Sequence, residues 1–311
     1  MTIAFVFPGQ GSQSVGMGKA LAEAFPEARA VFDAADDALH EKLSTLCFEG
    51  PDDALKLTSN TQPAILTVSV AAHAAFSKRF STAPAFVAGH SLGEYSALVA
   101  AGALSLPDAV RSVRARGTFM QEAVPAGVGA MSAVLGLAPE KVAELCAQAA
   151  QGEVVSCANF NEPAQTVIAG HAKAVERAGE LLKAAGAKRV LPLPVSAPFH
   201  CALMAPVTPR LGEVLGALTV KPLAVPVVTN VEAAPNRDPA RVVPLLLQQV
   251  TGSVRWIESV QAMEQAGVTK VVELGPGKVL CGLVKRITKN IECFNVEDPA
   301  SLEKTLAALG A

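Results

Sequence analysis

Ser91 stands in the string Gly89-His90-Ser91-Leu92-Gly93, with a glycine two residues to either side. The run before it, Ala85-Phe86-Val87-Ala88-Gly89, is short and apolar, as a buried parallel strand is. The residues from Ser91 to Ala101 are small and read as a helix closed by Gly102. A strand, a sharp turn centred on serine and a helix make a nucleophile elbow. Its glycines let strand and helix approach closely while the serine takes strained backbone angles. At a helix N-terminus the hydroxyl also meets unpaired N–H groups that favour developing negative charge. The bare string occurs by chance; the strand-turn-helix context makes Ser91 a candidate for covalent acyl chemistry.

A serine nucleophile needs a base, and the chain offers five histidines. His40 and His73 lie in helical surroundings that suit half-exposed structural roles. His90 adjoins the nucleophile inside the same turn, too constrained to reach its hydroxyl. His171 follows Gly170 at a strand-to-helix junction, where capping or surface roles compete. His200 follows Ser196-Ala197-Pro198-Phe199 on a loop, where a residue can face a cleft, and so leads by elimination.

Arg116 is singled out by helical phase. On the helix that starts near Ser105-Leu106-Pro107-Asp108, residues Ala109, Val110, Val113, Gly117 and Met120 form one apolar stripe. Arg111 points away from that stripe and Arg114 to one side, as solvated surface residues do. Arg116 lies on its flank, leaning toward the core, where an arginine needs a partner. That partner is either a structural carboxylate or the carboxylate of a substrate, held by two parallel N–H bonds. The loop Pro8-Gly9-Gln10-Gly11-Ser12-Gln13 lacks the further glycines of a nucleotide-binding loop, with Gln13 and Ser14 where glycine would stand. A tight loop there can instead supply a backbone N–H to an oxyanion hole.

These residues need a scaffold. Ile3–Phe7 reads as a buried strand stopped by Pro8-Gly9, and residues 18–40 as one helix. Residues 64–80 read as another, with Pro63 suiting its first turn. Past Pro125-Ala126-Gly127 the pattern becomes strand (130–137), helix (139–150), two strands (154–158 and 166–169), helix (172–185) and strand (188–193). That βαββαβ order is the ferredoxin-like split pattern. A helix near 203–218, a strand over 225–230, helices near 241–250 and 254–266 and a strand over 270–274 then resume the first rhythm. The expected architecture is an α/β, hydrolase-like, mostly parallel sheet over 1–126 and 198–311, with an inserted ferredoxin-like small domain over 127–197.

Half of the 311 residues are apolar and 17% are charged, which supplies a large core and argues against disorder. A net charge of −2 disfavours general nucleic-acid binding. No apolar run reaches the roughly 18 to 20 residues that span a bilayer, and the N-terminus lacks signal or transit character. Cys47, Cys146, Cys157, Cys201, Cys281 and Cys293 are scattered without a C-x-x-C pair, as small hydrophobes of a reducing compartment are, and no metal site is expected.

Several of these strings together resemble one family. Phe7-Pro8-Gly9-Gln10-Gly11-Ser12-Gln13, Gly89-His90-Ser91-Leu92-Gly93-Glu94-Tyr95, Arg116-Gly117 and Phe199-His200-Cys201-Ala202-Leu203-Met204 are similar to motifs of the malonyl-CoA:acyl carrier protein transacylases of fatty-acid synthesis. Asn161-Glu162-Pro163-Ala164-Gln165, Gln249 and Glu273-Leu274-Gly275-Pro276-Gly277-Lys278-Val279-Leu280 fit the same pattern, in the same order. The resemblance implies Ser91 as nucleophile, His200 as base, and an oxyanion hole from the Gln10 and Leu92 N–H groups. It implies Arg116 as the malonyl carboxylate clamp and the Gln249 backbone carbonyl as the group orienting His200. Phe199 and Leu92 resemble members that select malonyl over methylmalonyl groups.

The implied reaction is ping-pong, with malonyl-CoA as substrate, no bound cofactor, and a phosphopantetheine thiol carried by acyl carrier protein as acceptor. A cytoplasmic monomer without nucleic-acid or membrane partners is expected. Lys188, Arg189, Lys285 and Arg286 could meet an acidic carrier protein, with solvated surface charge as the plainer role. The alternatives are a serine esterase or thioesterase of the α/β-hydrolase type, which shares the elbow, and a catalytically silent carrier-binding scaffold.

Overall fold

The computed structural model describes residues 2–310 apart from 126 and 196. In chain order the first elements are β1 (Ile3–Phe7), α1 (Lys19–Ala24), α2 (Pro26–Leu39), α3 (Leu43–Glu49), α4 (Asp52–Leu55) and α5 (Thr58–Arg79). Then come β2 (Phe86–Gly89), α6 (Gly93–Ala100), α7 (Leu106–Glu122), β3 (Gly129–Leu135), α8 (Pro139–Ala150), β4 (Val155–Glu162), β5 (Gln165–His171), α9 (Ala172–Ala184) and β6 (Arg189–Pro192). The chain continues through α10 (Val207–Gly216), β7 (Val227–Val228), β8 (Pro235–Asn236), α11 (Val242–Thr251) and α12 (Trp256–Gln265). It finishes with β9 (Lys270–Leu274), α13 (Val279–Ile287), β10 (Glu292–Val296) and α14 (Pro299–Leu309).

The larger sheet has the order β10-β9-β1-β2-β7-β8. Its pairs are parallel except β7 with β8, which is antiparallel. β1 explains why such a sheet is buried on both faces. Ile3, Phe5 and Phe7 point into the core shared with α2, α5 and α7, while Ala4 and Val6 pack with Trp256, Val260, Leu280 and Val284 of α12 and α13. A strand apolar at every position is stable only between two helical layers. The smaller sheet is antiparallel with the order β4-β5-β3-β6, the ferredoxin-like arrangement read from the sequence. One of its faces packs under α8 and α9 through Val134, Cys157 and Ile168. The other face carries Met131, Ala133, Val167 and Ala169 against Cys201, Phe199 and Leu203. Backbone bonds tie the smaller sheet to the segment between α11 and α12: Phe160 N–H donates to Val254 O and Val254 N–H to Ala158 O, both at 2.9 Å.

Several expected elements differ. The single helix over 18–40 is two helices, because Phe25 turns extended and Pro26 starts a new helix as its first residue. The helix expected from 64 begins at Thr58, which leaves Pro63 in its interior rather than its first turn. Pro63 there forfeits one backbone bond, a cost of about 3 kcal/mol in an isolated helix; here the helix is buried from Thr61 through Ala72 and packing holds it. The strand over 225–230 shrinks to Val227–Val228. α3, α4, β8, α13, β10 and α14 had no counterpart in the sequence reading. Of the expected boundary residues, Ala126 lies outside the described residues, as does Ser196 of the string before His200. All six cysteines are free thiols, five of them buried. Among the described residues no helix is long and apolar enough to cross a membrane.

Candidate active site

The elbow is built from backbone contact. A Cβ on Gly89 would stand 1.9 Å from the Gly93 carbonyl oxygen, and one on Gly93 would stand 2.2 Å from the Phe7 carbonyl oxygen. Neither position has room for a side chain. Ser91 takes φ 53°, a left-handed value that costs a non-glycine residue about 1–3 kcal/mol and lifts its side chain clear of strand and helix. Asn230, just past β7, holds the turn: its Oδ1 accepts from Ser91 N–H at 2.7 Å and its Nδ2 donates to Gly89 O at 2.6 Å.

His200 Nε2 lies 2.7 Å from Ser91 Oγ. On the other side of the ring, Nδ1 faces the carbonyl oxygens of Gln249 at 2.9 Å and Gly252 at 3.1 Å. Two carbonyls can only accept, so Nδ1 carries the proton and Nε2 presents its lone pair to the serine hydroxyl. Burial, with the nearby Arg116 charge, pushes His200 down to about 3 while the two carbonyls pull it up, so the ring is neutral near pH 7. Among the described residues no carboxylate bonds to the ring; two backbone carbonyls orient the imidazole.

Arg116 is 1% exposed, deeper than its helical phase alone implied. Its Nη1 donates to Gln62 Oε1 at 2.8 Å, and its Nη2 to Gln249 Oε1 at 2.9 Å and Ser91 Oγ at 3.1 Å. Its Nε has no partner among the described residues. A guanidinium held by two neutral amides, with a donor to spare beside the nucleophile, can take a carboxylate. Arg111 pairs with Asp108 on the surface as expected. Arg114 does not stay solvated: it is half-buried, joining Glu41 and Asn60.

Gln10 and Leu92 flank the same pocket. Neither of their backbone N–H groups donates to another described residue, which leaves both for an oxyanion. Phe199 and Met131 close the side toward the smaller sheet, and the pocket around Ser91 measures about 110 Å³. A larger cavity of about 570 Å³ lies between Pro139, Phe160 and Ile257; Glu140 and Glu258 line it, but no serine, cysteine or histidine does.

The remaining histidines keep other duties. His90 Nε2 meets Asn161 Oδ1 at 2.8 Å, and burial lowers its pKa while that bond raises it. His171 Nδ1 accepts from Val154 N–H at 2.9 Å. His73, between Phe5 and Phe7, is pushed down to about 4 by burial. His40 caps α2 in a left-handed conformation. Lys188, Arg189, Lys285 and Arg286 are all exposed, and Arg286 approaches Glu162 at 4.0 Å.

Sequence reasoning did not single out Gln62, Asn230, Gly252 or Glu94. Asn230 had a signal: it follows a strand of the parallel sheet, where such sheets gather their sites. Glu94 had another, as an acid opening an otherwise apolar helix. Gln62 and Gly252 carry no local signal, since their role is set by elements distant in sequence.

The acyl transferase domain family matches residues 4–302. A malonyl CoA-acyl carrier protein transacylase of Bacillus subtilis (strain 168) is 50% identical over 308 residues, covering 99% of this chain and 97% of that protein. A crystal structure of an acyl carrier protein S-malonyltransferase from Vibrio cholerae superposes with a TM-score of 0.96 at 50% identity, covering 98% of this chain and 100% of that one. A malonyl-transacylase solved in complex with a type II PKS acyl-carrier protein superposes with a TM-score of 0.96 at 46% identity, covering 99% of this chain and 100% of that one.

Proposed function

The chain belongs to the acyl transferase family, and from that premise we propose that it transfers the malonyl group of malonyl-CoA to the pantetheine thiol of acyl carrier protein through an ester on Ser91. The observation that carries the proposal is the convergence on one oxygen: Ser91 Oγ lies 2.7 Å from His200 Nε2 and 3.1 Å from Arg116 Nη2.

In the first half-reaction His200 takes the Ser91 proton as Oγ attacks the thioester carbon. The tetrahedral oxyanion is met by the Gln10 and Leu92 N–H groups, a contribution of about 3–4 kcal/mol per donor in comparable sites. Collapse breaks the C–S bond, and His200 returns its proton to the departing CoA thiolate. In the second half-reaction His200 deprotonates the carrier's thiol, which attacks the malonyl ester; collapse breaks the C–O bond, and His200 returns the proton to Ser91 Oγ. Arg116 binds the malonyl carboxylate throughout, and Phe199 bounds the acyl pocket. The Gln249 and Gly252 carbonyls stabilise the imidazolium form of each step. Malonyl-CoA is thus a substrate, and the phosphopantetheine arrives on the partner. The division into a catalytic domain (1–126 and 198–311) and a small domain (127–197) belongs to this reading and is supported by the two sheets having separate cores. The exposed Lys188, Arg189, Lys285 and Arg286 are offered as carrier contacts, on a cytoplasmic monomer.

A hydrolase reading is disfavoured by a fully buried Arg116 beside the nucleophile, which an ester hydrolase does not need. The test is incubation with labelled malonyl-CoA, with and without holo acyl carrier protein. Label should accumulate on the wild-type chain, pass to added carrier, and be absent from Ser91→Ala by intact mass. A malonylated Ser91→Ala protein, or release as free malonate whether or not carrier is present, would sink the assignment.

A further inference from the structure

Glu94 is a buried acid that the steps above do not use. It opens α6 three residues past the nucleophile and is 2% exposed. Its Oε2 accepts from Asn230 N–H at 3.0 Å and from Gln249 Nε2 at 2.8 Å. Gln249 Nε2 also donates to Ser91 O at 3.0 Å, while its Oε1 accepts from Arg116 Nη2 at 2.9 Å. A carboxylate and a carbonyl only accept and a guanidinium only donates, so a single orientation of the Gln249 amide satisfies all three. Among the described residues no salt bridge joins Arg116 directly to a carboxylate; Glu94 is one amide away. A buried guanidinium with no compensating charge nearby is costly.

We propose that Glu94 is the standing counter-charge of Arg116 in the empty site, a positioning residue that acts through the Gln249 amide and is relieved when a substrate carboxylate reaches Arg116. This rests on Arg116 being the malonyl clamp. With substrate bound, two carboxylates share one guanidinium in a small pocket. One Glu94 oxygen then takes a proton from solvent, and no covalent bond other than that O–H is made.

Burial already pushes Glu94 up to about 7, against the pull of Asn230, Gln249 and Arg116, and a second anion pushes it further up. The sign follows. At low pH Glu94 is protonated in the empty site and Arg116 is unopposed; as pH rises Glu94 ionises, and binding the malonyl carboxylate must draw a proton in. The groups facing Glu94 are few. α7 contributes Arg116, whereas its Arg111 and Arg114 are engaged with Asp108 and Glu41. α11 and the Asn230 turn contribute neutral amides, and β1, β2 and β7 contribute no titratable side chain. α5 places His73 between Phe5 and Phe7, and on α6 itself burial raises the Tyr95 hydroxyl to about 12. His200 has its pKa lowered by burial and by the Arg116 charge.

The test uses Ser91→Ala protein, which binds without being acylated, titrated calorimetrically with malonyl-CoA and acetyl-CoA from about pH 6 to 9. The malonyl-CoA affinity should fall about tenfold over that range, with proton uptake detected in buffers of different ionisation heat. Acetyl-CoA, with the same phosphates and no carboxylate, should show neither trend. Adding Glu94→Gln keeps an acceptor for Gln249 and removes the charge, so malonyl-CoA binding should become flat with pH and tighter at the alkaline end. Equal weakening of both thioesters would assign Glu94 a structural role only and overturn the proposal. Should the double variant not fold, Ser91→Ala alone decides, because malonyl binding without proton uptake overturns it too. If Ser91→Ala binds malonyl-CoA no better than acetyl-CoA at any pH, the clamp falls and the counter-charge with it. Malonyl preference with a flat profile removes the counter-charge alone.

Discussion

Ser91 and His200 are both non-glycine residues in left-handed backbone, at φ 53° and φ 57°, yet their two turns are held by different means. Around Ser91 the constraint is backbone against backbone. Gly89 and Gly93 touch carbonyl groups where any Cβ would overlap, and His90 N–H is bonded to Phe7 O at 3.0 Å. Around His200 the constraint comes from side chains and from distant elements. Pro198 packs over Gly129 of β3, Cys201 Sγ donates to Pro198 O at 3.1 Å, and the imidazole itself is fixed by carbonyls 49 and 52 residues further on. The nucleophile's turn would keep its shape without the serine side chain. The His200 ring takes its orientation from its bonds to the last turn of α11 and the Gly252 that follows it. The difference teaches that strain can be stored locally, by excluding side chains, or held globally, by docking a loop between two sheets.

The largest effect should come from breaking the locally held turn. In Gly89→Ala the new methyl group has no direction to yield, since its neighbours at 1.9–2.5 Å are backbone atoms of α6. Overpacking of this kind costs about 3 kcal/mol or more, so the variant should unfold at a markedly lower denaturant concentration, or fail to accumulate. Acylation should be lost in whatever remains folded. A Gly89→Ala protein with wild-type denaturation midpoint and acylation rate would show that the elbow is not held by backbone contact.

His200→Ala should separate activity from stability instead. Removing the imidazole deletes the proposed base and its two carbonyl contacts but leaves Pro198, Cys201 and the packing of Phe199 in place. Ser91 acylation should fall about 10³-fold, the usual scale for a lost general base, with only a small change in unfolding midpoint. A fall in stability as large as that of Gly89→Ala would mean that the junction depends on its histidine, and the contrast between the turns would disappear.

The same contrast explains what could be read from the sequence. The elbow is contiguous, so Ser91, its strand and its helix were visible in a handful of residues, as was the βαββαβ pattern of the smaller sheet. Arg116 was visible through helical phase, though not the depth at which it sits. His200 emerged only by elimination, and its orientation by Gln249 came only from resemblance to a family. Gly252, Gln62 and Asn230 act through partners that only the folded chain brings near, and no local periodicity encodes such pairings. The missed β10 has a plainer cause: at the sheet edge it is largely half-exposed, so its residues lack the fully apolar pattern of β1. The misplaced start of α5 shows packing overriding a proline signal, with Gly117 of α7 close against Thr58 and Ser59.

The smallest expected effect is an absence of slope. Burial and the Arg116 charge push His200 down to about 3, against the pull of the Gln249 and Gly252 carbonyls. A group whose pKa is lowered in this way becomes protonated only as pH falls toward that value, so the base form persists through the neutral range. Acylation of Ser91 by an uncharged ester such as p-nitrophenyl acetate should therefore vary by no more than about twofold between pH 5.5 and 8. Glu94 titrates in that window, but an uncharged ester brings no carboxylate for it to oppose. An acid limb near pH 6.5, the value of a solvated histidine, would mean that water reaches the imidazole and that the junction between the sheets is looser than the elbow. A flat profile would mean that the distant carbonyls and the smaller sheet keep His200 as well sheltered as the glycines keep Ser91 strained.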